Sequence, residues 1–275
     1  MKKYTLIGGK LGHSLSPQIH ERLFRLRGRE ASYDLTELSG DGLTLNIGRL
    51  RKLDGFNVTI PHKLAVMYFM NELDETAKLY GAVNCVANKD GILIGYNTDC
   101  DGFLRSVETM GADLSGKVLL IGCGGVGRMI AIASSIREAD LTIQVLESDM
   151  SVAESVVNEI KTNDPAARVK VVTAEAERGE HYNLLVNATP VGMFPKVDAC
   201  PATDEQIRKS DAVFDVIYNP LETQLIKKAR ALGKPAENGM AMLVWQAVTA
   251  HRIWDGDEYT AEEVRGIIDE VSGLI

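Results

Sequence analysis

Short apolar runs alternate along the chain with stretches whose apolar residues recur at helical spacing. Residues 4–7 form a brief apolar run ending in Gly8-Gly9, a strand followed by a turn. Ser16-Pro17 then opens a helical pattern with Ile19, Leu23, Phe24 and Leu26 on one side, and Gly28 closes it. Residues 56–60 read as a strand. Pro61 onward, with Leu64, Met67 and Tyr68, reads as a helix. Residues 82–88 and 92–96 pattern as a hairpin about Lys89-Asp90-Gly91, and a helix follows from near Asp101 to Gly111.

The texture changes after Leu114-Ser115-Gly116-Lys117. Residues 118–121 are uniformly apolar, as in a strand buried on both faces, and an apolar helix is predicted over 128–136. Further strands are expected at 141–146, 169–172, 182–187 and 212–217. A helix is expected from Asn219-Pro220 through Leu232, and a long one from Gly239 through Trp254. Strand–helix alternation of this kind builds parallel sheet with crossover helices, so the class is α/β. We place the domain boundary near residues 101–116.

Composition narrows the function. The 275 residues carry a formal net charge of −8 with no long Lys/Arg block, which disfavours a nucleic-acid groove. The cysteines at 85, 100, 123 and 200 form no C-x-x-C pair, so neither a zinc ribbon nor a thioredoxin-type site is supported, and no metal is expected. The opening MKKYTLIGGK has too short an apolar run for a signal peptide, and no stretch reaches the roughly 18 apolar residues of a membrane span. A cytoplasmic protein, monomer or homodimer, is expected.

GCGGVG places glycine at 122, 124 and 127 between a buried strand and a helix. In that context the first glycine allows a tight turn, the second a close approach of a pyrophosphate and the third close helix–strand packing. Gly122, Gly124, Gly125, Val126 and Gly127 are therefore candidate cofactor contacts, with phosphates on the amides of the helix start. Glu147 stands at the end of the next strand, somewhat beyond 20 residues on, where an acidic side chain accepts from a ribose 2′-hydroxyl. A solvated carboxylate is the competing reading. With Glu147 on the ribose, a 2′-phosphate would meet like charge, and the expected cofactor is NAD, with NADP disfavoured.

Several short motifs together carry a resemblance. HSLSP, NVTIPHK, GAVNC, NTDCDG, NATPVGM, YNPLET and GMAMLVWQA follow in the order found in shikimate dehydrogenases and their quinate/shikimate-using relatives. The resemblance spans nearly the whole chain. It implies an N-terminal α/β substrate domain (1–101) beside a Rossmann-type doubly wound parallel domain (102–238), with the cleft between them. Residues 239–275 would be helices packing back on the first domain. The implied reaction is reversible hydride transfer between shikimate and 3-dehydroshikimate with a nicotinamide cofactor. Two alternatives are a dehydrogenase of broader range that also takes quinate, and a catalytically weak nucleotide-sensing relative. Members that use NADP carry Asn-Arg-Thr or Asn-Arg-Ser after the second Rossmann strand. Here the register holds Glu147-Ser148-Asp149, without the arginine.

The same resemblance implies roles residue by residue. Lys63 and Asp99 would be catalytic, the amine exchanging a proton with the substrate while hydride moves. The proton would belong to the pair rather than to either member. If Pro61 opened a helix, Lys63 would stand near its positive end at a cost of only about 0.3–1 kcal/mol, leaving desolvation as the main influence on the amine. Read without the resemblance, Lys63 is a tolerated surface lysine and Asp99 a helix cap. Ser14 and Ser16 would hold the substrate carboxylate. Ser16 before Pro17 also suits an N-cap. Thr59, Asn84 and Asn97 would bond ring hydroxyls, although each could instead satisfy a turn. Tyr218 and Gln246 would touch substrate, and Asn187, Thr189, Gly239 and Met240 would line the cofactor.

Overall fold

The computed structural model describes residues 1–177 and 179–275. In chain order its strands are β1 (Lys2–Gly8), β2 (Ala31–Glu37), β3 (Gly55–Val58), β4 (Glu72–Leu73), β5 (Cys85–Lys89), β6 (Ile92–Tyr96), β7 (Lys117–Ile121), β8 (Asp140–Val145), β9 (Val169–Thr173), β10 (Tyr182–Asn187), β11 (Ser210–Asp215) and β12 (Ala236–Glu237). The α-helices are α1 (Ser16–Leu26), α2 (Gly42–Leu50), α3 (Glu75–Tyr80), α4 (Asp99–Thr109), α5 (Gly125–Ile136), α6 (Met150–Asn163), α7 (Asp204–Arg208), α8 (Gln224–Ala231), α9 (Gly239–Asp255) and α10 (Ala261–Ser272). Two compact units result, one of residues 1–102 and 243–274, the other essentially 103–242.

The first unit is built on a six-stranded mixed sheet of order β2-β1-β3-β5-β6-β4. Alternation along its strands separates two apolar faces. Ile7, Phe56, Val86 and Leu93 pack on one side with Leu43, Leu50 and Val66. Tyr4, Cys85 and Ala87 pack on the other with Phe24 of α1 and Ala250 and Trp254 of α9. The Trp254 indole donates to the Val86 carbonyl at 3.0 Å, so the one polar atom of that large side chain is satisfied inside the core.

The second unit is a six-stranded, all-parallel sheet of order β12-β11-β10-β7-β8-β9. Read from β9, this is the doubly wound order, in which the order of successive strands reverses between β7 and β10. Its inner strands are apolar on both faces because helices cover both, and Leu119, Leu185, Val213, Ile207 and Leu225 form one buried cluster.

Several expected elements differ. No helix begins at Pro61: β3 ends at Val58, residues 60–64 form turns, and a 3-10 helix covers Ala65–Phe69. The Ile60–Pro61 peptide is cis. Asn219-Pro220 likewise starts no helix; α8 begins after Thr223, whose hydroxyl accepts from the Ile226 amide at 3.3 Å. In both places a hydroxyl cap or a turn outweighs proline's preference for a first helical position. The α1 N-cap is Leu15 rather than Ser16. Strand β2 and helix α2 escaped the pattern because their apolar positions are sparse: much of β2 is exposed, and only Leu43 and Leu50 of α2 are buried.

Candidate active site

In the first unit the Lys63 ammonium donates to Asp99 Oδ2 at 2.6 Å. The side chains are 25% and 16% exposed, so the pair is reachable yet partly withdrawn from water. Different elements deliver the two members. Lys63 sits in the turn after β3, where its carbonyl accepts from the Val83 amide at 2.9 Å. Asp99 is the first residue of α4, and its amide donates to Asn97 Oδ1 at 3.2 Å. Since no helix starts at Pro61, the helix-end penalty expected for Lys63 does not arise.

Asn84 fixes the other carboxylate oxygen. Its Nδ2 donates to Asp99 Oδ1 at 2.8 Å and to the Thr98 hydroxyl at 3.0 Å, while its Oδ1 accepts from the Thr98 amide at 2.7 Å. The amide is therefore held at both ends, and Asp99 is clamped between a cation and a neutral donor. Each buried polar atom here has a partner, as an interior site requires. Gln246 joins from α9, its Oε1 accepting from Thr98 at 3.4 Å and its Nε2 donating to the Leu243 carbonyl at 2.8 Å.

Ser14 and Ser16 stand together: Ser14 Oγ donates to Ser16 Oγ at 3.2 Å, and the Ser16 amide donates to Ser14 Oγ at 3.3 Å. Because Leu15 is the N-cap and makes no side-chain cap bond, neither hydroxyl serves that role. Thr59 follows β3, its amide bonded to the Ile7 carbonyl at 2.9 Å. Asn97 is more committed: Nδ2 donates to the Ala82 carbonyl at 3.1 Å and Oδ1 receives the first amides of α4. Sequence reasoning passed over Asn57, a buried polar residue of β3 whose Nδ2 donates to the Asn84 carbonyl at 3.1 Å. Its signal was an amide inside an otherwise apolar strand.

The second unit gathers its candidates at the carboxyl ends of β7 and β10, where the sheet reverses. Gly122 has φ +93°, and a Cβ there would lie 2.5 Å from Thr189 Cγ2. A Cβ on Gly127 would lie 2.3 Å from the Gly122 carbonyl oxygen. Gly124 and Gly125 face the opposite situation, with nothing within 4 Å of an added Cβ. Gly124 is the N-cap of α5, so the first amides of that helix, beginning with exposed Gly125, lack partners within the helix. A cradle of bare backbone at a helix start suits a pyrophosphate, so the residues fit a dinucleotide.

Behind this cradle lies a buried polar cluster. Asn187 Oδ1 accepts from the Thr189 amide at 2.9 Å and hydroxyl at 2.7 Å, and its Nδ2 donates to Asp215 Oδ1 at 2.9 Å. Thr223 donates to Asp215 Oδ2 at 2.7 Å. Burial raises the Asp215 carboxyl to about 6 although three donors oppose the shift. Asp215 was missed because it reads as the polar end of a strand. Tyr218 follows β11 partly buried, and burial raises its hydroxyl above the ordinary phenol value. The Gly239 amide bonds the Ile217 carbonyl at 3.0 Å, and buried Met240 donates its amide to Asn238 Oδ1 at 2.9 Å.

Among the described residues, His251, Asp255 and Asp257 are grouped closely enough to hold a metal ion. Their ligand atoms already serve Lys2, Tyr4, Arg29, His20 and Tyr259. No helix of the described residues is long and apolar enough to cross a membrane.

Comparison with known proteins gives three consistent results. Residues 6–86 match the family model for the shikimate dehydrogenase substrate binding domain. The shikimate dehydrogenase (NADP(+)) of Geobacillus kaustophilus is 39% identical over 274 residues, covering 98% of each chain. That of Nitrosopumilus maritimus is 36% identical over 260 residues, covering 94% of each. Among solved structures, shikimate 5-dehydrogenase of Thermus thermophilus in complex with NADP(H) and shikimate superposes with a TM-score of 0.86 at 29% identity, covering 98% of this chain and 99% of the other.

The relatives overturn the expectation of NAD in preference to NADP, since both sequence relatives are named for NADP and the solved neighbour holds NADP(H). The structure supplies the reason the inference failed. Strand β8 ends at Val145, Leu146 and Glu147 are exposed, and Glu147 starts the 3-10 turn Glu147–Asp149. A solvated carboxylate on such a turn can rotate away, so its charge does not bar a 2′-phosphate.

Proposed function

The chain belongs to the shikimate dehydrogenase family, and on that premise we propose that it interconverts shikimate and 3-dehydroshikimate with NADP, using Lys63 and Asp99 as its proton-handling pair. The 2.6 Å contact between these two side chains, partly sheltered and locked by Asn84, carries the reading. The nicotinamide supplies or takes the hydride. The residues of this chain handle everything else.

Oxidation of the ring alcohol leaves a proton on the hydroxyl oxygen, and the Lys63 amine takes it. In the reverse direction the Lys63 ammonium returns it to the ketone oxygen. Asp99 holds the amine in place and accepts from a substrate hydroxyl. Ser14 and Ser16 bind the carboxylate, while Thr59, Asn84, Asn97 and Gln246 offer neutral groups to the remaining hydroxyls. Neutral donors and acceptors left unpaired by a poorer substrate make such a site selective. Tyr218 also contacts substrate. The open backbone of Gly124, Gly125 and Val126 receives the pyrophosphate, with Gly122 and Gly127 keeping it close and Asn187, Thr189, Gly239 and Met240 lining the remainder.

The test is the absorbance of reduced cofactor when purified protein meets shikimate and NADP. Steady turnover is expected, and its absence in both reaction directions would remove the functional reading.

A further inference from the structure

Tyr33 lies on β2, the edge strand, and belongs to none of the groups assigned above. Its hydroxyl nevertheless crosses the sheet. In register, Tyr33 pairs with Tyr4 on β1, and Tyr4 pairs with Gly55 on β3. From there the Tyr33 hydroxyl donates to Asn57 Oδ1 at 2.8 Å. That bond orients the Asn57 amide, so that Nδ2 faces and donates to the Asn84 carbonyl at 3.1 Å. Asn84 in turn donates to Asp99 at 2.8 Å, and Asp99 accepts from Lys63 at 2.6 Å. A series of contacts thus runs from the sheet edge to the reacting pair, entering Asn84 at its main-chain carbonyl and leaving from its side-chain amide.

The ring is held as firmly as the hydroxyl. His20 of α1 stacks on it, with centroids 4.0 Å apart and planes 10° from parallel. His20 Nδ1 and His251 Nε2 are 3.0 Å apart, and His251 Nδ1 meets the Tyr259 hydroxyl at 3.0 Å. Burial raises the Tyr33 hydroxyl well above the ordinary phenol value, with the Ser16 hydroxyl beside it opposing the shift. The group therefore stays protonated and remains a donor. Its neighbour Ser16 is one of the two hydroxyls read as carboxylate ligands, so Tyr33 touches both Ser16 and Asn57.

We propose that Tyr33 is a positioning residue for this reaction, its hydroxyl holding Asn57, Asn84 and Asp99 in register with the Ser14–Ser16 pair. The inference rests on the shikimate reading. Truncating the hydroxyl would leave Asn57 Oδ1 without its donor inside the unit and loosen both ends of the substrate site together. The dinucleotide cradle, built on another sheet, would not feel the change.

Five proteins test this by steady-state kinetics and thermal melting: wild type, Tyr33→Phe, Ser16→Ala, the Tyr33→Phe/Ser16→Ala double variant and Thr36→Val. Thr36 is on the same strand, and its hydroxyl bonds that of Thr5 at 2.9 Å, outside the series. Tyr33→Phe should raise KM for shikimate about tenfold, the effect of one lost oriented hydrogen bond, with KM for NADP within about twofold. Combined with Ser16→Ala its effect should fall short of the product of the two single effects, as expected for residues that share partners. Thr36→Val should leave KM for shikimate unchanged. An unchanged KM in Tyr33→Phe, an equal rise for NADP, an equal rise in Thr36→Val, or loss of the folded state in Tyr33→Phe would each overturn the proposal. Absence of shikimate turnover by the wild type is a separate result, which would remove the functional reading and this inference with it.

Discussion

The two six-stranded sheets make polar sites in opposite ways. The parallel sheet offers main chain: an N-cap glycine, a helix start and two positions where any side chain would collide. The mixed sheet offers side chains: an ion pair locked by an amide, which is itself locked by a second amide and a tyrosine. Main chain suits a ligand that recurs across many proteins, because phosphate needs only N–H groups and space. Side chains suit a particular polyol acid, because each hydroxyl needs its own partner.

The comparison breaks first at Lys63. Lys63→Met removes the proton carrier and should lower kcat by about 10²–10⁴-fold, the usual worth of one acid–base group, with KM for shikimate changed only a few-fold. A kcat near wild type would make the ion pair structural.

The glycine cradle gives the next largest effect and splits in two. Gly127→Ala drives a methyl to 2.3 Å from the Gly122 carbonyl, so it should cut both NADP affinity and melting temperature. Gly124→Ala meets nothing within 4 Å in the protein. It should melt normally yet raise KM for NADP about tenfold, by filling space the ligand needs. Equal melting losses in the two variants would mean the loop is tuned for packing alone.

Acid distinguishes the units more gently. In the first, burial holds His251 down to about 3 and His20 well below its ordinary value of 6.5. The unfolded chain then binds more protons than the folded one below that ordinary value, so stability falls as pH drops. His251 should cost about 2 kcal/mol between pH 7 and 5, and His20 acts in the same direction. Asp215 of the second unit acts oppositely. Raised to about 6 from 3.8, it binds its proton more readily folded than unfolded, and stabilises by roughly 1 kcal/mol over the same range. Denaturant melts should show net loss toward pH 5, and Asp215→Asn should steepen it. A flat profile would contradict the buried histidine pair. At the small end, Glu180, bridging the exposed Lys117 and Lys170, is worth at most about 0.5 kcal/mol by Glu180→Gln, because water and salt screen the pair.

Legibility followed the same division. Part of the parallel unit could be read directly, since apolar strands and GCGGVG are local patterns, while its doubly wound strand order was implied by the family resemblance. The lysine and its aspartate could be named only through short motifs shared with a family. Spacing alone left Lys63 a surface residue and Asp99 a helix cap, and Tyr33, Asn57 and Asp215 passed without notice. Glu147 failed in the other direction: a charge placed correctly at the end of β8 was taken to choose the cofactor, although its exposed turn leaves the side chain to water.

By itself, then, the order of residues determined the α/β class, the glycine turn and the strands that carry it, because such features depend on neighbours a few positions apart. Tertiary structure alone decided that Lys63 meets Asp99, 36 residues on, and that Tyr33 reaches Asn57 across an intervening strand. Those contacts depend on sheet order and on turns such as the one at residues 60–64, which no periodicity encodes. Chain position gives a hydrogen-bonding group its chemistry, and only the folded sheet gives it a partner.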